Sequence, residues 1–348
     1  MRVPLSWLRD FAPFGAATDE AAVDGLAAAL SGLGLVVEGI ERFGGGLDDV
    51  VLARVIGTRA HPDADKVQLV DVDAGGEAPL QVVCGAFNFG PGDLVALAPV
   101  GAKLPNGMEI GRRKVRGQWS DGMLCSAAEL KLGTDHDGIL VIADAEGLEP
   151  GMPLADALGG PDVVFDLDIT PNRPDALSVA GVARDLAAHF RLPFAIPDPP
   201  SLPVDGMTPA TVSVESPDLC PRFTATVVEG VTVGPSPRWL ADRLTRAGMR
   251  PINNVVDVSN YVMLELGQPN HPYDLHRLPG RGISVRRGRP DESLVTLDDV
   301  VRPVGPTDCL ICDADGTPVG IGGIMGGASS EISPTTTTVL LEAALFDP

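Results

Sequence analysis

Two side chains stand out as candidates for acid–base or hydrogen-bonding chemistry. His271 lies in the segment QPNHPYD, just past a predicted helix, between polar and proline residues that would hold it rigidly. His271 either takes part in acid–base or hydrogen-bonding chemistry or is a turn histidine bonded to the backbone. Glu342, in VLLEAALF, is a lone acid within an apolar strand. It lies either on the solvent face of an edge strand or inward, where a donor such as a tyrosine hydroxyl is needed because burying an unpaired carboxylate is costly.

A dense basic run is the main local charge feature. Four cations occur within five residues: Arg112, Arg113, Lys114 and Arg116. They lie on a predicted strand, with Trp119 just beyond, and form either an anion-binding site or a charged, solvated edge strand. Phe87, Phe89 and Trp119 could stack on bases if exposed. The alternative is that they belong to a core, which we favour for Phe87.

The cysteines do not indicate a metal site or a disulfide framework. Cys309 and Cys312 form a C-x-x-C pair, but no histidine follows Cys312, and zinc sites of the finger type need a second ligand pair. We therefore predict no metal. The five cysteines are odd in number and mostly scattered, which fits a reducing cytosol.

The elements that must position these residues fall into three groups. Residues 18–35 have helical spacing of apolar residues and end near Gly34, and residues 162–190 predict a strand, a turn and a helix capped by Asp175. Between them, residues 50–150 contain five short strands separated by turn residues, which predicts a small barrel of the OB type. A proline-rich linker follows at residues 196–206.

The last part of the chain predicts a mixed α+β domain. A strand in TATVVEGVTV precedes a helix capped by Ser236, and a second helix in NNVVDVSNYVMLELG ends at Gly267. The segments ISVRR, LVTL, CLICD and VLLEAALF predict further strands, and a glycine-rich turn separates the last two.

Length and charge limit the classes of protein. A chain of 348 residues is long enough for two or three domains. The net charge of -21 argues against broad binding of nucleic acid, so any RNA contact must be local. The N-terminus has no signal-peptide core, and no apolar run is long enough to cross a membrane, so we expect a soluble cytoplasmic protein without membrane contact.

Longer motifs resemble one protein family. The run from AHPDADKVQLVDVDAG through RRKVRGQWSDGMLCSAAELKLG is similar to a tRNA-binding OB module that occurs in several protein types. MRVPLSWLRDF before it, and LDITPNRPDALSVAGVARDLAA and MRPINNVVDVSNYVMLELGQPNHPYDL after it, resemble the beta subunit of bacterial phenylalanyl-tRNA synthetase in that order. The resemblance implies a multidomain α+β chain, with an OB-fold β-barrel inserted in a small α/β domain and followed by a B3/B4-type α+β editing domain. The corresponding ranges are 1–38 plus 151–200, 39–150, and 201–348, the last cut at its C-terminal end.

The resemblance also implies roles for residues. Phosphates of tRNA would contact Lys66, Arg112, Arg113, Lys114 and Arg116. The editing site, which hydrolyses tyrosyl-tRNA(Phe), would comprise Ser259, Asn260, His271, Gly323, Gly326 and Glu342. Within it, His271 would lie near the scissile ester, the two glycines would line the pocket, and Glu342 would recognise the tyrosine hydroxyl. Ser259 departs from the threonine of some relatives but keeps the hydroxyl.

The implied partners are tRNA(Phe) and an alpha subunit, in a heterotetramer of two alpha and two beta subunits. Activation of phenylalanine with ATP and magnesium would belong to the alpha subunit, so this chain would bind no cofactor and would not aminoacylate alone. Two alternatives stay open: a non-catalytic tRNA-binding scaffold, and a free-standing trans-editing hydrolase.

Overall fold

The chain divides into two compact units. The structure, a computed structural model, describes residues 1–132, 138–142, 147–199, 201, 206 and 208–347. One unit comprises Met1–Phe14, Asp24–Gly39 and Phe165–Pro348, and the other comprises Gly15–Val23 and Ile40–Val164. The three-domain division stays a prediction, and the linker proposed at residues 196–206 lies partly outside the described residues. None of the helices described is long and apolar enough to cross a membrane.

A short strand and two helices begin the chain. The first elements are β1 (Arg2–Pro4), α1 (Leu5–Leu8), α2 (Glu20–Gly32) and β2 (Val36–Phe43). Helix α2 confirms the helix predicted from apolar spacing, because Val23, Leu26 and Leu30 are all buried. It ends shortly before Gly34, whose φ of +85° suits glycine and turns the chain out of the helix.

Eight short strands lie in the described residues of the barrel region. They are β3 (Val51–His61), β4 (Ala64–Asp73), β5 (Leu80–Cys84), β6 (Leu94–Pro99), β7 (Arg113–Val115), β8 (Gln118–Ser120), β9 (Gly122–Leu124) and β10 (Val141–Ile142). Five of them, β3, β4, β5, β6 and β10, correspond to the five predicted barrel strands, the last of which was predicted to extend beyond the described residues. Six of the eight strands form one sheet in the order β10-β6-β3-β4-β5, with β9 also paired to β6. Strands β7 and β8 form a separate two-stranded hairpin that carries the basic run.

The six-stranded sheet curves almost into a closed barrel. The backbone N–H of Asp121 donates to the carbonyl of Gln81 at 2.8 Å, and the N–H of Val83 donates to the Ser120 hydroxyl at 3.0 Å. These bonds tie β5 to the segment around β8. The enclosed side chains are apolar: Ala53, Val55, Val70, Val72, Val82, Cys84, Val95, Leu97, Leu124 and Ile139. A sheet that curls around such a core loses most of its exposed edge.

The chain then leaves the barrel through α3 (Leu154–Ala157), β11 (Asp162–Asp168) and α4 (Val179–Phe190). Strand β11 lies between β1 and β2 in a three-stranded sheet. The predicted Asp175 cap of α4 is wrong, because the Ser178 hydroxyl accepts the N–H of Gly181 at 3.0 Å. Asp175 instead accepts hydrogen bonds from Arg173 and Arg184.

Two helices follow the first strands of the last part. These elements are β12 (Thr211–Val214), β13 (Arg222–Glu229), α5 (Arg238–Arg246) and α6 (Asn254–Leu266). As predicted, Gly267 ends α6 in the left-handed conformation, with a φ of 76°. The predicted Ser236 cap of α5 is wrong: Pro237 occupies the cap position without a side-chain bond, and the Ser236 hydroxyl donates to the Asp257 carboxylate.

The remaining strands build two main sheets. They are β14 (Asn270–Asp274), β15 (Gly282–Arg287), β16 (Glu292–Val295), β17 (Val301–Val304), β18 (Cys309–Asp313), β19 (Pro318–Ile321), β20 (Met325–Gly326) and β21 (Thr338–Leu345). One sheet has the order β12-β15-β18-β19-β20, and the other has the order β13-β21-β14. Strand β21, which carries Glu342, is therefore a central strand, and the edge-strand alternative for this acid is wrong.

Candidate functional site

Strand register brings the two candidate chemical groups together. In the antiparallel pair of β14 and β21, His271 lies directly opposite Glu342, and Ala225 of β13 lies opposite Glu342 on its other side. Directly opposite residues point to the same face of a sheet. Tyr273 follows His271 by two positions and shares this face, because side chains alternate along a strand.

Glu342 is buried and hydrogen-bonded to a tyrosine of the chain itself. Its side chain is 5% exposed, and the Tyr273 hydroxyl donates to its Oε2 at 2.6 Å. Burial raises the pKa of Glu342 to about 7, although the bond from Tyr273 acts in the opposite direction. Burial and the nearby carboxylate raise the pKa of Tyr273 well above its usual value, so its hydroxyl stays a neutral donor.

His271 is neutral and has an unused ring nitrogen. Burial lowers its pKa to about 4, and its Nε2 is buried without a hydrogen-bond partner. The ring packs edge-on against Tyr273, with 4.5 Å between ring centroids and 72° between planes. A neutral imidazole nitrogen donates or accepts according to its tautomer, so Nε2 can serve a ligand in either way.

Glycines create the space around the histidine ring. A Cβ on Gly326 would lie 2.5 Å from Cε1 and 2.6 Å from Nε2 of His271, which is closer than atoms can approach. Gly323 has a φ of +70°, and a Cβ there would be 3.5 Å from the Phe346 ring. Gly326 is therefore needed for the observed position of His271, and Gly323 for the backbone turn beside it.

These groups line one cavity of about 590 Å³. Its described lining residues include His271, Tyr273, Glu342, Gly323 and Gly326. Apolar side chains complete the wall: Met263, Ile311, Ile321, Ile324, Met325, Ala344, Leu345 and Phe346. The cavity is thus mostly apolar, with a buried carboxylate and a neutral imidazole on the same face of one sheet.

Two predicted residues do not line this cavity, namely Ser259 and Asn260. The Ser259 hydroxyl donates to the backbone carbonyl of Asn270 at 3.0 Å, and the Asn270 side chain donates to the carbonyl of Ser259 at 3.1 Å. Ser259 therefore fastens the start of β14 to α6. Asn270 and Tyr273 line the cavity but were missed, although the two-residue spacing of Tyr273 from His271 was a usable signal.

The basic run lies on the β7–β8 hairpin of the other unit. Arg112, Arg113, Lys114 and Arg116 are all exposed there. Arg112 forms an ion pair with Asp121 at 2.6 Å and lies 4.8 Å from the ring centroid of Trp119, with the Lys114 ammonium 5.8 Å from the same centroid. Trp119 thus has two cations close to its exposed ring.

Other predicted residues lie on the same unit. Lys66 is exposed near the start of β4. The His61 ring bonds the carbonyl of Val115 at 3.2 Å, which holds the basic hairpin near the end of β3. Phe87 is 61% exposed, so the core assignment favoured for it is wrong: it follows β5 in a loop and projects outward. Phe89 packs partly against the barrel core.

The C-x-x-C pair lies in β18 of the first unit. Burial raises the pKa of both thiols, Cys309 and Cys312, to about 11. Both thiols are therefore protonated at neutral pH in the metal-free chain. Among the described residues, no group of three or more histidine, cysteine or acidic side chains is placed to hold a metal ion.

Two family models match the chain. A model described as a tRNA binding domain matches residues 50–152, and one described as a B3/4 domain matches residues 219–348. Phenylalanine–tRNA ligase beta subunits from Anaeromyxobacter dehalogenans and Geobacter sulfurreducens are each 47% identical over 100% of this chain and 43% of their own length. The relative from Symbiobacterium thermophilum is 44% identical over 100% of the chain and 39% of its length.

The chain belongs to the phenylalanine–tRNA ligase beta subunit family. It spans about two fifths of the length of the relatives it matches. An N-terminal fragment of the phenylalanyl-tRNA synthetase beta subunit from Pyrococcus horikoshii matches 53% of this chain and 56% of that chain, with 18% identity and a TM-score of 0.33. That similarity is too low to support an argument.

Family membership and structure together confirm the predicted fold class, an OB-type barrel inserted in a small α/β domain and followed by a B3/B4-type α+β domain. The basic hairpin lies inside the range matched by the tRNA binding domain. The cavity around His271 and Glu342 lies inside the range matched by the B3/4 domain.

Proposed function

We propose that this chain is a part of a phenylalanine–tRNA ligase beta subunit that binds tRNA and hydrolyses tyrosyl-tRNA(Phe). The observation that supports hydrolysis best is the pairing of His271 with Glu342 across β14 and β21, in one mostly apolar cavity. The observation that supports tRNA binding is the exposed basic hairpin within an otherwise acidic chain.

The cavity suits an aromatic side chain with a hydroxyl at its end. Apolar walls would hold the ring, while Glu342 would accept a hydrogen bond from the hydroxyl. A phenylalanine ring in the same place would leave the buried carboxylate facing an apolar edge, which is costly. A site built to bind a hydroxyl can reject the analogue that lacks it, whereas a synthetic pocket for phenylalanine rejects tyrosine only weakly.

Hydrolysis would use a water molecule instead of a covalent intermediate. Among the described lining residues there is no serine, threonine, cysteine or lysine to act as a nucleophile. The unpartnered Nε2 of His271 would hold the attacking water or donate to the ester carbonyl, according to its tautomer. Because its pKa is about 4, His271 would be neutral during this step at physiological pH.

The proposed function also involves tRNA and an alpha subunit as partners. We place tRNA phosphates at Lys66, Arg112, Arg113, Lys114 and Arg116, and we place the chain in the cytoplasm. Aminoacylation, with its ATP and magnesium, would be carried out with an alpha subunit in an assembly of two alpha and two beta subunits. The alternatives are a tRNA-binding scaffold without catalysis and a free-standing trans-editing hydrolase.

The test is deacylation of tRNA(Phe) charged with tyrosine or with phenylalanine. We expect tyrosine to be released about 100-fold faster or more, because the cavity offers a hydroxyl acceptor. Glu342→Ala should remove this preference, and His271→Ala should slow release about 100-fold. Glu331→Ala, at an exposed acid that does not line the cavity, is the matched control and should behave as wild type.

The outcomes separate the candidates. Equal slow release of both amino acids by the folded wild type and all variants would leave the tRNA-binding scaffold. Preferential release of tyrosine that is reduced in both site variants would support editing, even without the alpha subunit.

A further inference from the structure

Tyr273 is placed to control how Glu342 meets a ligand. It is 1% exposed, and its hydroxyl donates to Oε2 of Glu342 at 2.6 Å. Its ring contacts that of His271 edge-on, along the same face of β14. The hydroxyl therefore occupies one oxygen of the carboxylate before any ligand enters the cavity.

The other carboxylate oxygen has no such partner. Among the described residues, no hydrogen bond to Oε1 of Glu342 is formed, and the residue lines the cavity. A carboxylate has lone pairs on both oxygens and can accept from two hydroxyls at once. With Oε2 held by Tyr273, the oxygen left for a ligand is Oε1.

We infer that Tyr273 is a positioning residue that holds Oε2 of Glu342, so that Oε1 faces the cavity and accepts the hydroxyl of a tyrosyl ester. This inference rests on the proposed editing function. It assigns a role to a residue that the predicted site did not include. Tyr273 would not touch the reacting ester but would act through Glu342.

After burial, the hydrogen bond from Tyr273 is the second influence on the charge of Glu342. The titratable residues among the described cavity lining are His271, Tyr273 and Glu342, and the residue opposite Glu342 on β13 is Ala225. The Glu342 carboxylate acts electrostatically on the thiols of Cys220 and Cys309, and burial raises the pKa of each thiol, so both are uncharged.

Loss of the Tyr273 hydroxyl should therefore change the protonation of Glu342. The bond from Tyr273 lowers the pKa of Glu342 against the effect of burial. Without it, more of the acid is protonated at neutral pH. A protonated carboxyl carries a proton of its own and loses acceptor capacity, so it binds a tyrosine hydroxyl less well.

The experiment compares Tyr273→Phe with wild type in the complete two-subunit ligase. The rate of tyrosine release from tyrosyl-tRNA(Phe) is measured as kcat/KM from about pH 6 to about pH 9, a range that spans the titration of the acid. We expect a loss of about 10-fold near neutral pH, the size of a lost hydrogen bond to a charged group. The loss should shrink as pH rises, because the carboxyl ionises again.

The chain has two tyrosines, and the second supplies a matched control. The Tyr261 hydroxyl also donates to a carboxylate, Glu265 at 2.9 Å, but Tyr261 does not line the cavity. Tyr261→Phe should lower stability without moving the pH profile. A shift of the profile in Tyr273→Phe alone would support positioning over a general structural role.

Two negative results have different meanings. If wild type releases tyrosine and Tyr273→Phe matches it in rate and pH profile, the positioning role is overturned while editing stands. If the wild-type ligase hydrolyses neither ester, the editing function is overturned, and the role of Tyr273 falls with it.

Discussion

Replacing Glu342 by glutamine removes a buried titrating group while keeping the size of the side chain. The amide can still accept the hydrogen bond from Tyr273, which reaches Oε2 at 2.6 Å in the wild type. The substitution therefore isolates the free energy of holding a carboxylate in this cavity from the packing around it.

The magnitude follows from the pKa of the acid. Burial raises the pKa of Glu342 from its ordinary value of 4.5 to about 7. The folded state thus holds the proton more tightly than the unfolded state, so wild type loses stability as pH rises from the lower value through the upper one. The full penalty above this window is about 3 kcal/mol. Glutamine does not titrate. The free energy of unfolding of Glu342→Gln, taken relative to that of wild type, should therefore be about 2 kcal/mol higher at about pH 8 than at about pH 5.

The assay is urea unfolding followed by tryptophan fluorescence. The chain has three tryptophans, and replacing the exposed Trp119 by phenylalanine leaves Trp7 and Trp239, which both belong to the unit that contains Glu342. The free energy of unfolding is measured for wild type and Glu342→Gln in this background at both pH values.

An opposite dependence is expected for His271→Gln, which serves as the internal check. Burial lowers the pKa of His271 from 6.5 to about 4, so the unfolded state binds the proton more readily than the folded state. The free energy of unfolding of wild type therefore falls as pH falls through this window. The free energy of unfolding of His271→Gln, taken relative to that of wild type, should therefore be about 2 kcal/mol higher at about pH 5 than at about pH 8. The burial argument would be refuted if, for either residue, wild type and variant differed by the same free energy of unfolding at both pH values.

Three further results are expected. Gly326→Ala should slow tyrosine release about 10-fold or more and lower the free energy of unfolding by about 1 to 3 kcal/mol, because its Cβ would displace the His271 ring; deacylation and urea unfolding check this. Arg113→Ala should reduce the slope of log affinity for tRNA against log salt by an amount that corresponds to about one neutralised phosphate. Arg112→Ala should reduce it by less, because Arg112 is paired to an acid, and filter binding at several salt concentrations measures both slopes. Phe87→Ala should change the free energy of unfolding by less than about 1 kcal/mol, whereas a core phenylalanine would cost about 3 kcal/mol or more.

Local chemistry made some elements predictable from sequence. Asn253 accepts the N–H groups of Val255 and Val256, and Gly267 adopts the left-handed conformation, so the ends of α6 follow from residues within one turn. The caps predicted at Asp175 and Ser236 are wrong for different reasons: Ser178 caps α4 in place of Asp175, whereas α5 has no side-chain cap and the Ser236 hydroxyl donates to Asp257. Which residue caps a helix depends on where the neighbouring segments pack.

The site was partly predictable. His271, Glu342, Gly323 and Gly326 all line the cavity, whereas Ser259 does not line it and instead holds β14 to α6. Sequence alone left open whether Glu342 faced water. The answer depended on whether β21 was an edge or a central strand, and strand order is a property of the whole sheet.

By itself, the sequence determined the family, the order of strands and helices along the chain, and most of their ends, because capping, alternation and turn formation act over a few residues. Only the tertiary structure decided that Glu342 is buried, that Tyr273 donates to it, and that Phe87 is exposed. Tyr273 and Glu342 are 69 positions apart in the chain. Their contact and their altered pKa values depend on the register of β14 against β21 and on the exclusion of water by the surrounding sheets, which no short segment specifies.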